Sequence, residues 1–356
     1  MPDVIVPPKA PVPPKPPEKV NKIGLTQDPY KGAESTLCSG CGHDSITAQI
    51  IKACYEIGVE PHMVAKLSGI GCSSKTPAYF LNKSHGFNAV HGRMPAVATG
   101  ANLGNRNLIM IGVSGDGDTA SIGMGQFVHM VRRNLKIVYI IENNGVYGLT
   151  KGQFSATADM GSGSKKGDIN EMIPIDCCGL AIELGGTFVA RSFSADFKQL
   201  CALLKAALHH NGTSLLDVVS PCVTFNNHES STKSYKYAKD HELALHDIDF
   251  IEHVEPLAPV DIASGELRDI ELHDGSHLRL KKLGEDYDPT DRKQAVMTIE
   301  RSRSEQLFLT GLLYLDKTRR PFHEQLNVID EPLATIANER VRPGKKVLDE
   351  IMASLT

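Results

Sequence analysis

Two apolar runs, each ending in a tight polar turn, constrain this chain more than any other feature. Leu108–Val113 reads LIMIGV and Lys136–Ile141 reads KIVYII. Near-continuous runs of this kind are how strands buried on both faces of a parallel sheet read. The first opens into Ser114-Gly115-Asp116-Gly117-Asp118 and the second into Glu142-Asn143-Asn144-Gly145. Residues 118–142 lie between the turns, room for one helix and one strand. The two turns therefore become neighbours at one edge of a parallel pair.

The rest of the pattern extends that unit. Residues 43–57 place Ile46, Ile50, Ala53, Cys54 and Ile57 on one helical face. Met63–Leu67 reads as a short strand that opens into Ser68-Gly69-Ile70-Gly71-Cys72-Ser73-Ser74-Lys75, and small residues after Arg93-Met94-Pro95 suit a helix packed close to a sheet. A helix-like stretch runs from 118 to about Arg133. Phe188–Ala190 and Leu215–Val219 are further strands, with a helix from Ala195 to His209 between them. The class is α/β: a parallel sheet with helices on both faces, its functional loops at the C-terminal strand ends. We divide the chain into a Pro-rich, extended N-terminal arm (1–25), a cofactor-binding domain (26–229), and a more charged C-terminal extension (230–356) that packs on the core or on a partner. Within the extension, residues 286–292 read as an exposed linker and Arg301–Tyr314 as a helix.

Composition narrows the function classes. The formal net charge is −4 and 41% of residues are hydrophobic, which suits neither a nucleic-acid nor a bilayer surface. No apolar run approaches the roughly 18–20 residues of a membrane span. The first residues lack a signal-peptide pattern, so a cytoplasmic location is expected. Eight cysteines in a reducing compartment are then thiols or ligands, not a disulfide framework. Cys54, Cys177, Cys178 and Cys201 lie on apolar helical stretches and read as buried thiols. His85, His209 and His210 have no motif around them and read as surface or core residues.

The two turns suit a hard cation and a phosphate-bearing ligand. Magnesium takes near-octahedral oxygen ligation, with few protein groups and the remainder from phosphate or water. Asp116 offers a carboxylate, the Asn144 amide oxygen a second ligand, and the Val146 carbonyl a third. Gly115 and Gly117 let the backbone come close to a diphosphate, and the amides of the helix that follows favour the anion. Cys38-x-x-Cys41 puts two thiols on one turn, a spacing that suits zinc, an iron–sulfur cluster or a redox dithiol. Cys72 and Cys222 each follow a strand, on the edge that carries the turns.

Gly-Asp-Gly followed by Asn-Asn at this distance resembles the signature of thiamine diphosphate enzymes. CSGCGH at 38–43, IGCSSK at 70–75, HGR at 91–93 and YGLTKGQ at 147–153 together resemble the β subunit of 2-oxoacid:ferredoxin oxidoreductases, most closely the 2-oxoglutarate type. The resemblance spans roughly residues 30–230. It implies one [4Fe–4S] cluster on Cys38, Cys41, Cys72 and Cys222, and thiamine diphosphate with Mg²⁺ on Asp116, Asn144 and Val146. It further implies cofactor contacts from Ile70, Gly71, Cys72, Ser73, His91, Gly115, Gly117, Asp118, Gly148 and Leu149. Lys75 and Lys151 would take the substrate carboxylates, with His91 at the cofactor or an intermediate. The implied reaction is oxidative decarboxylation of 2-oxoglutarate to succinyl-CoA and CO₂, with coenzyme A as co-substrate and ferredoxin as electron acceptor, reversible as reductive carboxylation. The glutamate that activates the cofactor is expected on an α subunit, in an αβ or (αβ)₂ assembly. The alternatives are another 2-oxoacid such as pyruvate, a thiamine diphosphate subunit without redox chemistry, and a non-catalytic iron–sulfur or zinc module.

Overall fold

A computed structural model describes residues 18–164, 167–229, 231–252, 267–282, 287–342 and 344–355. Most of the Pro-rich arm, residues 1–17, lies outside that description. The strands are β1 (Val64–Ser68), β2 (His85–Asn88), β3 (Ile109–Gly115), β4 (Ile137–Asn143), β5 (Val146–Tyr147), β6 (Gln153–Phe154), β7 (Phe188–Phe193), β8 (Thr213–Val219), β9 (Glu242–Ala244), β10 (His246–Ile251), β11 (Leu267–Glu271), β12 (His277–Lys282) and β13 (Phe308–Leu315). Eight of them form one sheet in the order β2-β1-β3-β4-β8-β7-β13-β9. The strands from β2 to β7 run parallel, and β13 pairs antiparallel with β7.

Burial explains why the central strands read so plainly. Every residue of β4 and of β8 is buried, because helices cover both faces. On one face lie α1 (Gly42–Glu56) and, further along the chain, the helix Phe197–His209. They enclose Ile46, Ile50, Val113, Ile140, Leu203 and Val218. On the other face lie α2 (Met94–Gly104), α3 (Met124–Arg133) and α4 (Cys177–Glu183), around Met94, Phe127, Tyr139, Ile141, Cys178 and Leu215. Each side chain of a strand interior thus meets apolar partners whichever way it points, and no polar alternation develops.

The helix expected from 118 to 133 is two pieces. Gly117–Ile122 is a π-helical turn, and α3 begins only at Met124. Such wide turns recur at functional sites.

The C-terminal segment differs from its sequence reading. Arg301–Tyr314 is not one helix. A helix over Arg292–Ser304 ends there, and 308–315 is β13, an interior strand of the main sheet. Its run FLTGLLYL is buried apart from a half-buried Tyr314, so its periodicity alone did not separate strand from helix. Nor is 287–292 wholly an exposed linker. Pro289 is buried, and the half-buried Tyr287 donates its hydroxyl hydrogen to the Leu313 carbonyl at 2.5 Å. Asp286 lies outside the described residues. A second, three-stranded antiparallel sheet, β10-β12-β11, also belongs to this segment. Among the described residues no helix is long and apolar enough to cross a membrane.

Candidate cofactor and thiol site

Four adjacent strands, β1, β3, β4 and β8, end at the same edge, and each delivers one motif. Ser68 pairs with Val113, Gly115 with Glu142, and Asn143 with Val219. The loop at 69–75, the turn at 116–118, the turn at 144–146 and the segment at 220–222 therefore emerge side by side. The chain's functional loops collect at C-terminal strand ends, as open α/β sheets require.

Asp116 is buried and held from one side. Its Oδ2 accepts hydrogen bonds from Thr157 Oγ1 at 2.7 Å, the Gly145 amide at 3.1 Å and Ser155 Oγ. Its Oδ1 lies 3.4 Å from the Asn144 amide. Burial raises the carboxyl above its usual range despite these donors, so a cation at Oδ1 would relieve a real electrostatic cost. Asn144 Oδ1 accepts from the Val146 amide at 3.1 Å, which folds Asn144 and Val146 into one Asx turn beside the carboxylate. Asn226 Nδ2 donates to the Asn144 carbonyl at 2.8 Å. Sequence reasoning missed Ser155 and Thr157. They lie 39 and 41 residues from Asp116, on a segment with no motif of its own.

The glycines mark close approaches. A Cβ on Gly117 would lie 2.4 Å from the Tyr147 ring, and one on Gly115 would lie 2.6 Å from Ser73 Oγ. Tyr147 also donates its hydroxyl hydrogen to the Gly117 carbonyl at 3.1 Å. Gly71 has φ +142° with open space beside its Cα, next to Ile70. Ser74 Oγ on the same loop is buried without a hydrogen-bond partner among the described residues. Asp118 lies against Gly69, where a Cβ would meet its Oδ2 at 1.8 Å. It accepts from Ser114 Oγ and from the Gly92 amide, each at 2.8 Å, and so ties the 91–93 turn to the Asp116 loop.

The thiols gather beside the 144–148 segment. A Cβ on Gly148 would be 3.4 Å from Cys72 Sγ and 3.8 Å from Cys222 Sγ. Thr224 Oγ1 lies 3.7 Å from Cys38 Sγ, and Cys41 caps the start of α1. Cys38 is exposed and the other three are partly so. Burial pushes the Cys41 thiol up to about 12 and raises Cys72, with neighbouring Cys222 raising both further. Cys54, Cys177, Cys178 and Cys201 are buried among apolar side chains. Among the described residues, three ligand atoms within 4.8 Å of one another occur only at Asp176, Cys178 and Asp217. That place is already filled by Arg191, whose Nη2 is 2.7 Å from Asp176 and whose Nε is 3.1 Å from Asp217.

The substrate candidates are less convergent. Lys75 Nζ lies 3.5 Å from Thr36 Oγ1. Lys151 sits at φ +79°, a backbone conformation uncommon for a residue with a side chain. It lines a cavity of about 770 Å³ with Ser121, Tyr147, Ser155, Met172 and Ile173. Leu149 is 52% exposed. No described contact joins Lys75 to Lys151.

Known proteins resemble this chain in sequence and in fold. Residues 69–218 match the thiamine pyrophosphate enzyme C-terminal TPP-binding domain, and residues 277–331 match the C-terminal family of the pyruvate ferredoxin oxidoreductase β chain. A 2-oxoacid:ferredoxin oxidoreductase subunit β from Sulfolobus is 45% identical over 53% of this chain and 63% of its own length. The 2-oxoglutarate synthase subunit KorB of Methanocaldococcus jannaschii is 34% identical over 59% of this chain and 78% of its own. The chain spans just under two thirds of the length of the first curated relatives it matches. A solved structure, the 2-oxoglutarate:ferredoxin oxidoreductase from Magnetococcus marinus with 2-oxoglutarate, coenzyme A and succinyl-CoA bound, aligns with a TM-score of 0.72 and 27% identity. That alignment covers 93% of this chain and 96% of the other.

Proposed function

The chain belongs to the β subunits of the 2-oxoacid:ferredoxin oxidoreductases, and from that premise we propose that it supplies the thiamine diphosphate and iron–sulfur half of an enzyme acting on 2-oxoglutarate. The observation that carries the reading is the juxtaposition of a buried Asp116 carboxylate with the Cys72 and Cys222 thiols beside Gly148, and with Cys38 and Cys41 next to them. A thiamine enzyme without redox chemistry has a use for the first and none for the second.

The residues present fit the groups. Asp116 Oδ1, Asn144 Oδ1 and the Val146 carbonyl are the ligands proposed for Mg²⁺, whose remaining positions would fall to diphosphate and water. Gly115, Gly117 and Gly71 allow the backbone approach, and Ser74 Oγ is an unused donor in the cradle. Cys38, Cys41, Cys72 and Cys222 would hold a [4Fe–4S] cluster. Their sulfurs are not drawn together within 4.8 Å, whereas zinc–thiolate bonds of about 2.3 Å would need that. When bound, the thiamine ring supplies the electron sink for decarboxylation.

The chain's own side chains hold and orient. Lys75 and Lys151, on two different motif loops, would each take one carboxylate of a dicarboxylic 2-oxoacid. Leu149 would border the substrate chain, and the exposed His91 would face the cofactor. Ile70, Ser73, Asp118 and Gly148 would complete its contacts, and Asp118 also holds the 91–93 turn through the Gly92 amide. A cluster held by Cys38, Cys41, Cys72 and Cys222 would supply the electron outlet to ferredoxin, with coenzyme A as acyl acceptor, in a reaction that would be reversible as reductive carboxylation. An α subunit would bring the activating glutamate. The apolar face of the helix Lys345–Ser354, where Val347, Leu348, Ile351 and Met352 are exposed, supports the C-terminal segment as part of its contact. A cytoplasmic location belongs to the same reading.

The test is a 2-oxoacid panel on the αβ complex, read as coenzyme A-dependent viologen reduction. The expected order is 2-oxoglutarate above pyruvate, with this chain alone inactive. Faster turnover of pyruvate would overturn the substrate, and turnover by the single chain would overturn the division of labour.

A further inference from the structure

Glu142 has no part in the function proposed above, yet its side chain is fully buried at the working edge. Successive side chains of a strand point to opposite faces. At the end of β4, Asn143 therefore turns toward Asp116, while Glu142 turns toward the thiols. Both Glu142 oxygens lie within reach of one donor: Thr76 Oγ1 is 3.1 Å from Oε1 and 3.0 Å from Oε2. His43 Nδ1 lies 3.5 Å from Glu142 Oε2 and 2.6 Å from Ser220 Oγ. The Ser220 amide donates back to the Asn143 carbonyl at 2.8 Å. All four side chains are buried.

The places of these four residues along the chain are the informative part. Thr76 lies in the 3-10 turn Ser73–Ala78, which starts directly after Cys72. His43 stands two residues after Cys41, Ser220 two before Cys222, and Glu142 two before Asn144. One buried network therefore fastens all three thiol-bearing segments to the strand that carries the metal amide. Close docking at this point is also built into the backbone. A Cβ on Gly42 would come within 2.6 Å of both Ser194 Oγ and Ser220 Oγ, so only glycine lets the start of α1 reach the end of β8.

We propose that Thr76, Glu142, His43 and Ser220 form a positioning network that fixes the thiol set relative to the cofactor turn and so governs electron passage between them. The proposal rests on the cofactor and cluster assignment above. Its physical basis is that a buried polar network has few satisfactory arrangements, since a half-satisfied one leaves desolvated groups unpaired. Loops by themselves impose no such discreteness. Partners that orient ligands commonly shift a metal site's behaviour without touching the metal.

The experiment uses the anaerobic αβ complex with Thr76→Val, Ser220→Ala and Glu142→Gln. Iron and thiamine diphosphate content, the cluster's reduction potential and stopped-flow bleaching after 2-oxoglutarate are measured for each. Thr76→Val and Ser220→Ala are expected to keep both cofactors but to slow bleaching by about 10-fold. KM for 2-oxoglutarate should not change. Glu142→Gln, whose amide oxygen can still accept from Thr76, should recover most of the rate. Wild-type bleaching rates and potential in both hydroxyl variants would overturn the proposal. If Thr76→Val does not assemble, Ser220→Ala decides. If neither assembles, the network is a folding element and the proposal fails. A wild-type complex that lacks iron, or that does not bleach with 2-oxoglutarate, would instead overturn the function on which the proposal rests.

Discussion

The two sides of the β4 C-terminus are built on different plans. On the Asn143 side, a hydrogen-bonded chain runs without a break. Thr157 Oγ1 lies 2.7 Å from Asp116 and 2.9 Å from Asn143 Oδ1, Asn143 Nδ2 donates to Asp217 at 2.9 Å, and Arg191 joins Asp217 to Asp176. On the Glu142 side, the thiols are partly exposed and held by their backbones, with the buried network one step behind them. A carboxylate can be oriented by neutral hydroxyls and amides before its cation arrives. Burial raises the Cys41 and Cys72 thiols instead. The first side is therefore held by side-chain hydrogen bonds that reach the carboxylate itself, and the second by a network set behind the thiols.

That contrast can be broken most severely at Asp116. Asp116→Asn keeps the shape but removes the charge, and Mg²⁺-dependent thiamine diphosphate binding to the αβ complex should weaken by more than about 100-fold, beyond what partners of ligands contribute. Equilibrium dialysis of the cofactor checks this, and iron content should stay at the wild-type level. The converse variant is Cys72→Ser. It should empty the thiol side of iron while leaving thiamine diphosphate binding intact, as read by iron assay and the visible spectrum. Loss of both cofactors from either variant would mean that the two sides are not separable.

Deeper in the first side, burial opposes ionisation of Asp176, but Arg191 and the Gly179 amide outweigh it and hold the carboxyl below its usual range. Arg191→Met would leave Asp217 buried without its cation and Asp176 with Arg303 alone, 3.4 Å away, at a cost of about 3–5 kcal/mol in denaturant unfolding. The sign with pH follows from the depressed carboxyl. The stabilisation from Asp176 is present above its unfolded pKa and is lost as pH falls through the lower folded one. The gap between wild type and Arg191→Met should therefore narrow in acid. The smallest effect is expected from Thr157→Val, which removes one of three donors to Asp116 Oδ2. Mg²⁺ affinity should fall by about 10-fold, with iron and the cluster potential unchanged.

Legibility in the sequence followed the range of the interaction. The sheet's central strands were readable because burial on both faces writes a continuous apolar run. Asp116, Asn144 and the two-residue link to Val146 were readable because they are local to turns. Ser155, Thr157, Asp217 and Arg191 were not, because their pairing spans 26 to 41 residues and leaves no periodicity. The missed strand β13 has the same cause in another form: FLTGLLYL is equally apolar as helix or strand, and only its partner β7 decides.

The sequence by itself determined the α/β class, the Gly115-Asp116-Gly117 and Asn143-Asn144 turns, the cysteine pattern and the likeness to a thiamine-dependent redox subunit, since each is written in a short stretch of chain. Tertiary structure alone decided that Ser155 and Thr157 reach Asp116. It also decided that Glu142, Thr76, His43 and Ser220 meet between the thiol-bearing segments and the end of β4. Strand order controls those outcomes. With β1, β3, β4 and β8 adjacent, residues far apart in the chain emerge side by side, and no local pattern encodes which strands become neighbours.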